Sequence, residues 1–303
     1  MPFYSHNALG AAVTLLAEDV EDVVRNIDLK GTPLTSTLPS RKIMSLPTTV
    51  NEDTLAAANA DNAAKQGADA PVASDTTPTQ RSVYTQIFTK TASASRTLRE
   101  VKTYGIDDEL DYQAAKKMIE VKRDLEQAYV STNATVAPAG DVTASKLAGL
   151  QNLITTNVNS TETTMEQTAG GGQDSFNTLL QACYEAGGTP GQVYCGGTQK
   201  THISDDWGSN ITRMTQDALR TVEVVVDFYH TDFGQVAVDF HRALTVAQVF
   251  ILQMDLLEQG YITPWMTQDL AITGDKRARQ IIGEYCMICK VEKAQGLFDS
   301  LTG

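Results

Sequence analysis

Between residues 107 and 130 the apolar positions Leu110, Ala114, Met118, Val121, Leu125 and Ala128 recur at spacings of four and three, the stripe an α-helix turns toward a core. The opposite face carries Lys116, Lys117, Glu120, Lys122, Arg123 and Glu126, with opposite charges one turn apart at 116/120 and 122/126. Asp107 is placed to cap this helix, and Asp108, Glu109 and Asp111 meet the positive end of its dipole. Such a helix spans about 35 Å. Ahead of it, residues 82–89 mix β-branched and aromatic side chains in near alternation and read as a strand with one wet face.

The pattern elsewhere is mixed. Leu9, Val13, Leu16, Val20 and Val24 predict a short amphipathic helix over 8–25. Pro33 and Pro39 then favour an extended arm over 32–40, because proline lacks a backbone donor and biases its predecessor away from helix. Residues 51–80 hold only Leu55 and Val72 as large aliphatics and cannot build a core. They lie between the strand-like runs 42–50 and 82–94, which points to a projecting hairpin in preference to a disordered linker. A polar connection over 131–145 precedes a short helix over 147–154. Residues 176–186 form a helix stopped by Gly187 and Gly188, and 192–195 a short buried strand.

The clearest β signal comes next. Val222, Val224, Val226 and Phe228 alternate on one side, residues 230–235 turn, and Val236, Val238 and Phe240 alternate back. A second β-rich region covers 246–262, and 281–291 reads as a last strand joining an existing sheet. Runs of strands and helices without βαβ alternation define an α+β chain.

Composition narrows the function. In a chain of 303 residues, 42% hydrophobic content supports a folded core, and a net charge of −13 opposes a surface that grips nucleic acid. No apolar run is long enough to span a membrane, and no basic, then apolar, secretory leader is visible at the N-terminus. Cys183, Cys195, Cys286 and Cys289 are too few for a disulfide framework and read as thiols. A single Cys-x-x-Cys at 286–289 is a poor zinc site, since residues three apart on a strand face opposite ways. His6, His202, His230 and His241 are scattered. Ser204, with Asp205 and Asp206, reads as the cap of a helix around Trp207 in preference to an acid/base cluster. The glycines at 170–172 and 196–197 lack phosphate-loop spacing, and the Asn-x-Ser/Thr triplets at 133, 159 and 210 read as chance matches. No catalytic, cofactor or metal site emerges.

Several short runs, in this order, resemble the major capsid proteins of tailed bacteriophages with the Hong Kong 97 type fold: Thr32-Pro33-Leu34, Thr85-Gln86-Ile87-Phe88, Gly105-Ile106-Asp107-Asp108-Glu109-Leu110, Arg123-Asp124-Leu125-Glu126, Tyr229-His230-Thr231-Asp232-Phe233-Gly234, Thr273-Gly274-Asp275 and Glu292-Lys293-Ala294-Gln295-Gly296. The resemblance implies an N-terminal arm over 1–41, an extended E-loop over 42–95, a peripheral domain with its spine helix over 96–145, a mainly axial domain over 146–270, and a return to the peripheral domain over 271–303. It implies a non-enzymatic shell subunit of the virion. Hexamers and pentamers of it would close an icosahedral head around phage DNA, assembled in the bacterial cytoplasm with portal, scaffolding and decoration proteins as partners and with no membrane. Either a removed N-terminal segment or a separate scaffold would guide assembly. Leu34, Leu38, Leu55, Val72, Tyr84, Ile87 and Phe88 are the expected intersubunit contacts. The alternatives are an encapsulin-like nanocompartment shell, a soluble α/β enzyme, and an adhesive surface protein.

Overall fold

The computed structural model describes residues 31–67, 69–70, 75–101, 106–140, 142–166, 171–207, 228–272 and 274–302. The helix expected over 8–25 and the alternating Val222, Val224 and Val226 lie outside them.

Among the described residues the strands form two sheets and a ribbon. The four-stranded sheet runs β1 (Ser40–Lys42), β10 (Leu257–Asp269), β11 (Lys276–Cys289), β4 (Gln86–Ser95), antiparallel except for β1 beside β10. The six-stranded sheet runs β5 (Val158–Asn159), β12 (Gly296–Phe298), β9 (Val249–Leu252), β6 (Gln192–Cys195), β8 (Gly234–Phe240), β7 (Phe228–Thr231). β2 (Thr48–Glu52) and β3 (Thr79–Val83) form the ribbon. The helices are α1 (Pro33–Thr37), α2 (Arg96–Glu100), α3 (Glu109–Tyr129), α4 (Leu150–Leu153), α5 (Gly172–Glu185) and α6 (Gly197–His202).

The long helix is α3. Its cap is Asp108, one residue beyond the expected Asp107, with the carboxylate accepting from the Leu110 amide at 2.8 Å. Leu110, Ala114, Val121, Leu125 and Ala128 are buried as the stripe requires. The N-terminal half meets β4 through small residues, Ala92 and Ala94 against Leu110 and Ala114, which lets helix and strand approach closely. The C-terminal half packs Val121, Leu125 and Tyr129 against Ile281, Tyr285 and Cys286 of β11. Glu126 departs from the expectation that it faces solvent: it is only 2% exposed.

The core is continuous between the sheets. Phe250 and Leu252 of β9 face α3 and β11, whereas Val249 and Ile251 face α5 on the other side. Burial on both faces explains why β9 is an unbroken apolar run. On the far face Phe176, Trp207 and Tyr229 stack with centroids 5.0–5.9 Å apart, and the Trp207 Nε1–H donates to the Met165 carbonyl at 3.0 Å. Trp207 sits in a π-helical turn continuing α6, so Ser204 is buried within that turn and does not cap a new helix. α5 closes on Gly187, whose φ of 89° is the left-handed conformation. The Gly187 and Gly188 amides donate to the carbonyls of Tyr184 and Cys183.

Four further expectations change. Residues 32–40 are not wholly extended: Pro33 opens α1, where its missing N–H costs nothing. The run 82–89 is broken at Tyr84 and Thr85, where the chain leaves the ribbon and enters the four-stranded sheet. The 228–240 hairpin forms, yet Tyr229 is buried and Phe228 and Phe240 are exposed, because Tyr229 is the residue that faces the Phe176–Trp207 stack. The region 246–262 divides into β9 and the start of β10, in different sheets. The closing segment returns to the four-stranded sheet through β11 and then crosses back, its last strand β12 lying between β5 and β9.

Candidate assembly interface

The ribbon β2–β3 carries the segment that cannot bury itself. Its legs pair antiparallel from Thr48 opposite Val83 to Glu52 opposite Thr79, and every described residue from 53 to 78 is exposed. Leu55 at the start of the tip is 98% exposed, an aliphatic side chain that the described residues leave uncovered. The tip is acidic, with Asp53, Asp61, Asp69 and Asp75 against Lys65.

Arg81 anchors the base. Its guanidinium pairs with Glu52 across the ribbon and donates to the carbonyls of Leu153 and Cys289, each at 3.3 Å, so one side chain ties the hairpin to α4 and to the end of β11. A cavity of about 480 Å³ lies beside it, between Asn51, Glu52 and Arg81 on the hairpin and Thr155, Lys290 and Glu292 on the body.

Six of the seven residues expected at intersubunit contacts are described, and they fall into three groups. Leu34, Leu38 and Phe88 are buried in this subunit's own core, Leu34 and Leu38 under α1 and Phe88 edge-on to Trp265 at 6.4 Å, so they have little surface to offer a neighbour. Tyr84 is half-buried at the strand break. Leu55 and Ile87 are exposed, Ile87 at 58% on the outer side of β4, while Val72 lies outside the described residues. Met44 and Leu46, on the connection from β1 to β2, are exposed too and carry no signal beyond being apolar just ahead of Pro47.

Reactive chemistry is not assembled here. Burial pushes the thiols of Cys195, Cys286 and Cys289 up to about 12 and that of Cys183 to about 11, which holds them as inert packing groups. Among the described residues no cluster of His, Cys, Asp or Glu has metal-site geometry.

Comparison with known proteins fits this architecture. The family model described as SU10 major capsid protein matches residues 5–302. The chain belongs to that family. It is therefore a structural, non-enzymatic subunit of a phage capsid, and copies of it associate in that capsid. No curated protein matches it significantly. Among solved structures, a chain of Mycobacterium phage Adephagia matches with 14% identity, 97% of this chain and 98% of that one covered, and a TM-score of 0.66. The cyanophage A-1(L) capsid asymmetric unit matches with 12% identity, 96% and 98% coverage, and a TM-score of 0.67. Phage G, titled for its gp27 major capsid proteins and gp26 decoration proteins, matches with 11% identity over the whole of both chains and a TM-score of 0.58. At these identities the likeness establishes the α+β fold of the Hong Kong 97 type. The capsid subunit spans nearly the full length of each.

Proposed function

We propose that this capsid subunit forms hexamers and pentamers that close into an icosahedral shell around phage DNA, with residues 42–95 acting as an E-loop laid over a neighbouring copy. α3 is the spine helix in this reading, the four-stranded sheet the peripheral domain and the six-stranded sheet the axial domain. Portal and scaffolding proteins are its assembly partners, and a decoration protein is a further one. The observation that carries the proposal is the tip, exposed at every described residue from 53 to 78: its composition supplies no core, yet it stands on an ordered ribbon clamped by Arg81. A segment of this kind gains apolar burial only against another molecule; Leu55 is the large aliphatic side chain it offers, and Ile87 on β4 is a second exposed one outside the tip.

Deleting residues 52–78 tests it. The expected product is a soluble subunit with native circular dichroism that forms no closed shells under negative-stain electron microscopy. Normal shells from the deletion variant would refute the E-loop assignment. Nucleic acid inside the wild-type shells would bear out the enclosure of phage DNA, and shells that never hold it would refute that part of the proposal.

A further inference from the structure

The most densely hydrogen-bonded side chain at the meeting of arm, spine and six-stranded sheet is Glu126. Its Oε1 accepts from the Leu34 amide at 2.8 Å and from His241 Nε2 at 2.7 Å. Its Oε2 accepts from the Thr35 amide at 2.8 Å and from the Thr35 hydroxyl. Leu34 and Thr35 follow Pro33 in the first turn of α1, where backbone N–H groups have no partner within the helix. A carboxylate from α3, 92 residues away in sequence, therefore caps the arm's helix.

His241 completes the arrangement from the other side. Its backbone N–H donates to the Cys195 carbonyl at 2.9 Å, and its ring stands edge-on to Tyr194, 5.6 Å between centroids. Its Nδ1 accepts from the Ala243 amide at 3.2 Å, which leaves Nε2 as the protonated nitrogen that donates to Glu126. Every contact to the carboxylate is thus a donor, and the site is built for an ionised acceptor.

Among the described residues, the arm beyond the first turn of α1 is held by a short edge strand and by the Arg41 guanidinium, which pairs with Glu258 of β10 at 3.4 Å. Beyond the buried Leu34, Leu38 and Ile43, β1 adds three residues to the edge of β10, with the Gln259 amide bonded to the Pro39 carbonyl at 2.9 Å and the Ile43 amide to the Tyr261 carbonyl at 2.8 Å. Arg41 and Lys42 are exposed along that edge.

We infer that Glu126 and His241 form a catch holding residues 31–42 as a detachable strap, so that losing the carboxylate or its histidine donor lifts the strap and uncovers the edge of β10 while the body stays folded. This goes beyond the shell-forming role and is independent of it, since it concerns the single subunit.

Limited trypsinolysis of the unassembled subunit tests it, comparing cleavage after Arg41 and Lys42 with cleavage after Lys65 in the exposed tip as an internal reference. Glu126→Gln, Thr35→Val and His241→Leu should each raise the strap-to-tip cleavage ratio, Glu126→Gln by at least about tenfold, because each loses hydrogen bonds to a buried charge. His241→Gln, which keeps an N–H donor, should stay near wild type. Hydrogen exchange at the Gln259 amide should accelerate in step with cleavage. Should Glu126→Gln fail to fold, the Thr35 and His241 variants decide alone. Unchanged ratios and unchanged Gln259 exchange in the folded variants would overturn the inference, as would His241→Gln opening the strap as far as His241→Leu.

Discussion

Glu292 does for the closing turn what Glu126 does for the arm. Its carboxylate accepts from the amides of Thr155 and Thr156, each at 3.1 Å, and from the Thr156 hydroxyl at 2.5 Å, joining the segment ahead of β5 to the turn ahead of β12 just where those strands pair. For both glutamates burial pushes the carboxyl upward. The hydrogen bonds it accepts, from His241 and Thr35 for Glu126 and from Thr156 and Thr155 for Glu292, outweigh that, and each lies below its ordinary value of 4.5. A carboxyl lowered on folding stabilises the native state fully above its unfolded value, and that contribution drains away as pH falls through the folded one. The urea midpoint of the unassembled subunit should therefore drop as pH falls below the ordinary carboxyl value of 4.5, and the drop should be shallower in Glu292→Gln, which has one fewer proton to take up. Equal slopes in the two proteins would show that Glu292 does not carry this linkage.

At the scale of elements, periodicity carried the reading wherever one residue's surroundings repeat along the chain. The stripe of α3 was legible because a helix packed on a sheet needs it, and the hairpin at 228–240 because Val236 and Val238 alternate. The projecting ribbon was legible from what residues 51–80 lack. What stayed hidden depends on partners distant in sequence. Glu126 has the composition of a surface position, and nothing near it signals His241, 115 residues on. Leu34 and Leu38 look like the contacts of an extended arm until α1 turns them into the core. Gly283, inside the unbroken run 281–289, was equally silent: a Cβ there would stand 2.4 Å from Trp265 Cε3, because the indole lies across β11 at that point and stacks on Tyr285 with centroids 4.7 Å apart. Gly283→Ala should cost about 1–3 kcal/mol, read as a lowered thermal midpoint. An unchanged midpoint would mean that Trp265 finds another seat.

For the whole molecule the net charge of −13 sets the terms of association. Copies that meet edge to edge repel, and salt shortens the reach of that repulsion to about 10 Å at 0.1 M. Shell formation followed by light scattering should accelerate from low to moderate salt. Equal rates would place the acidic residues away from the contacting edges.

The break at Tyr84 and Thr85 also decides how the subunit carries load. Tension on a docked tip cannot peel the four-stranded sheet open from the ribbon, because ribbon and sheet share no ladder. Through β3 the pull passes by two residues into the end of β4, whose ten residues are paired along their whole length with β11, and Arg81 shares it with α4 and the end of β11; through β2 it reaches the three-residue edge strand β1. Where that pull runs along β4, the rungs resist together in shear, as the threads of a bolt do. Where the tip docks as proposed, a head pressurised by its contents would find the ten-residue side of the joint firm and the three-residue β1 side the first to yield.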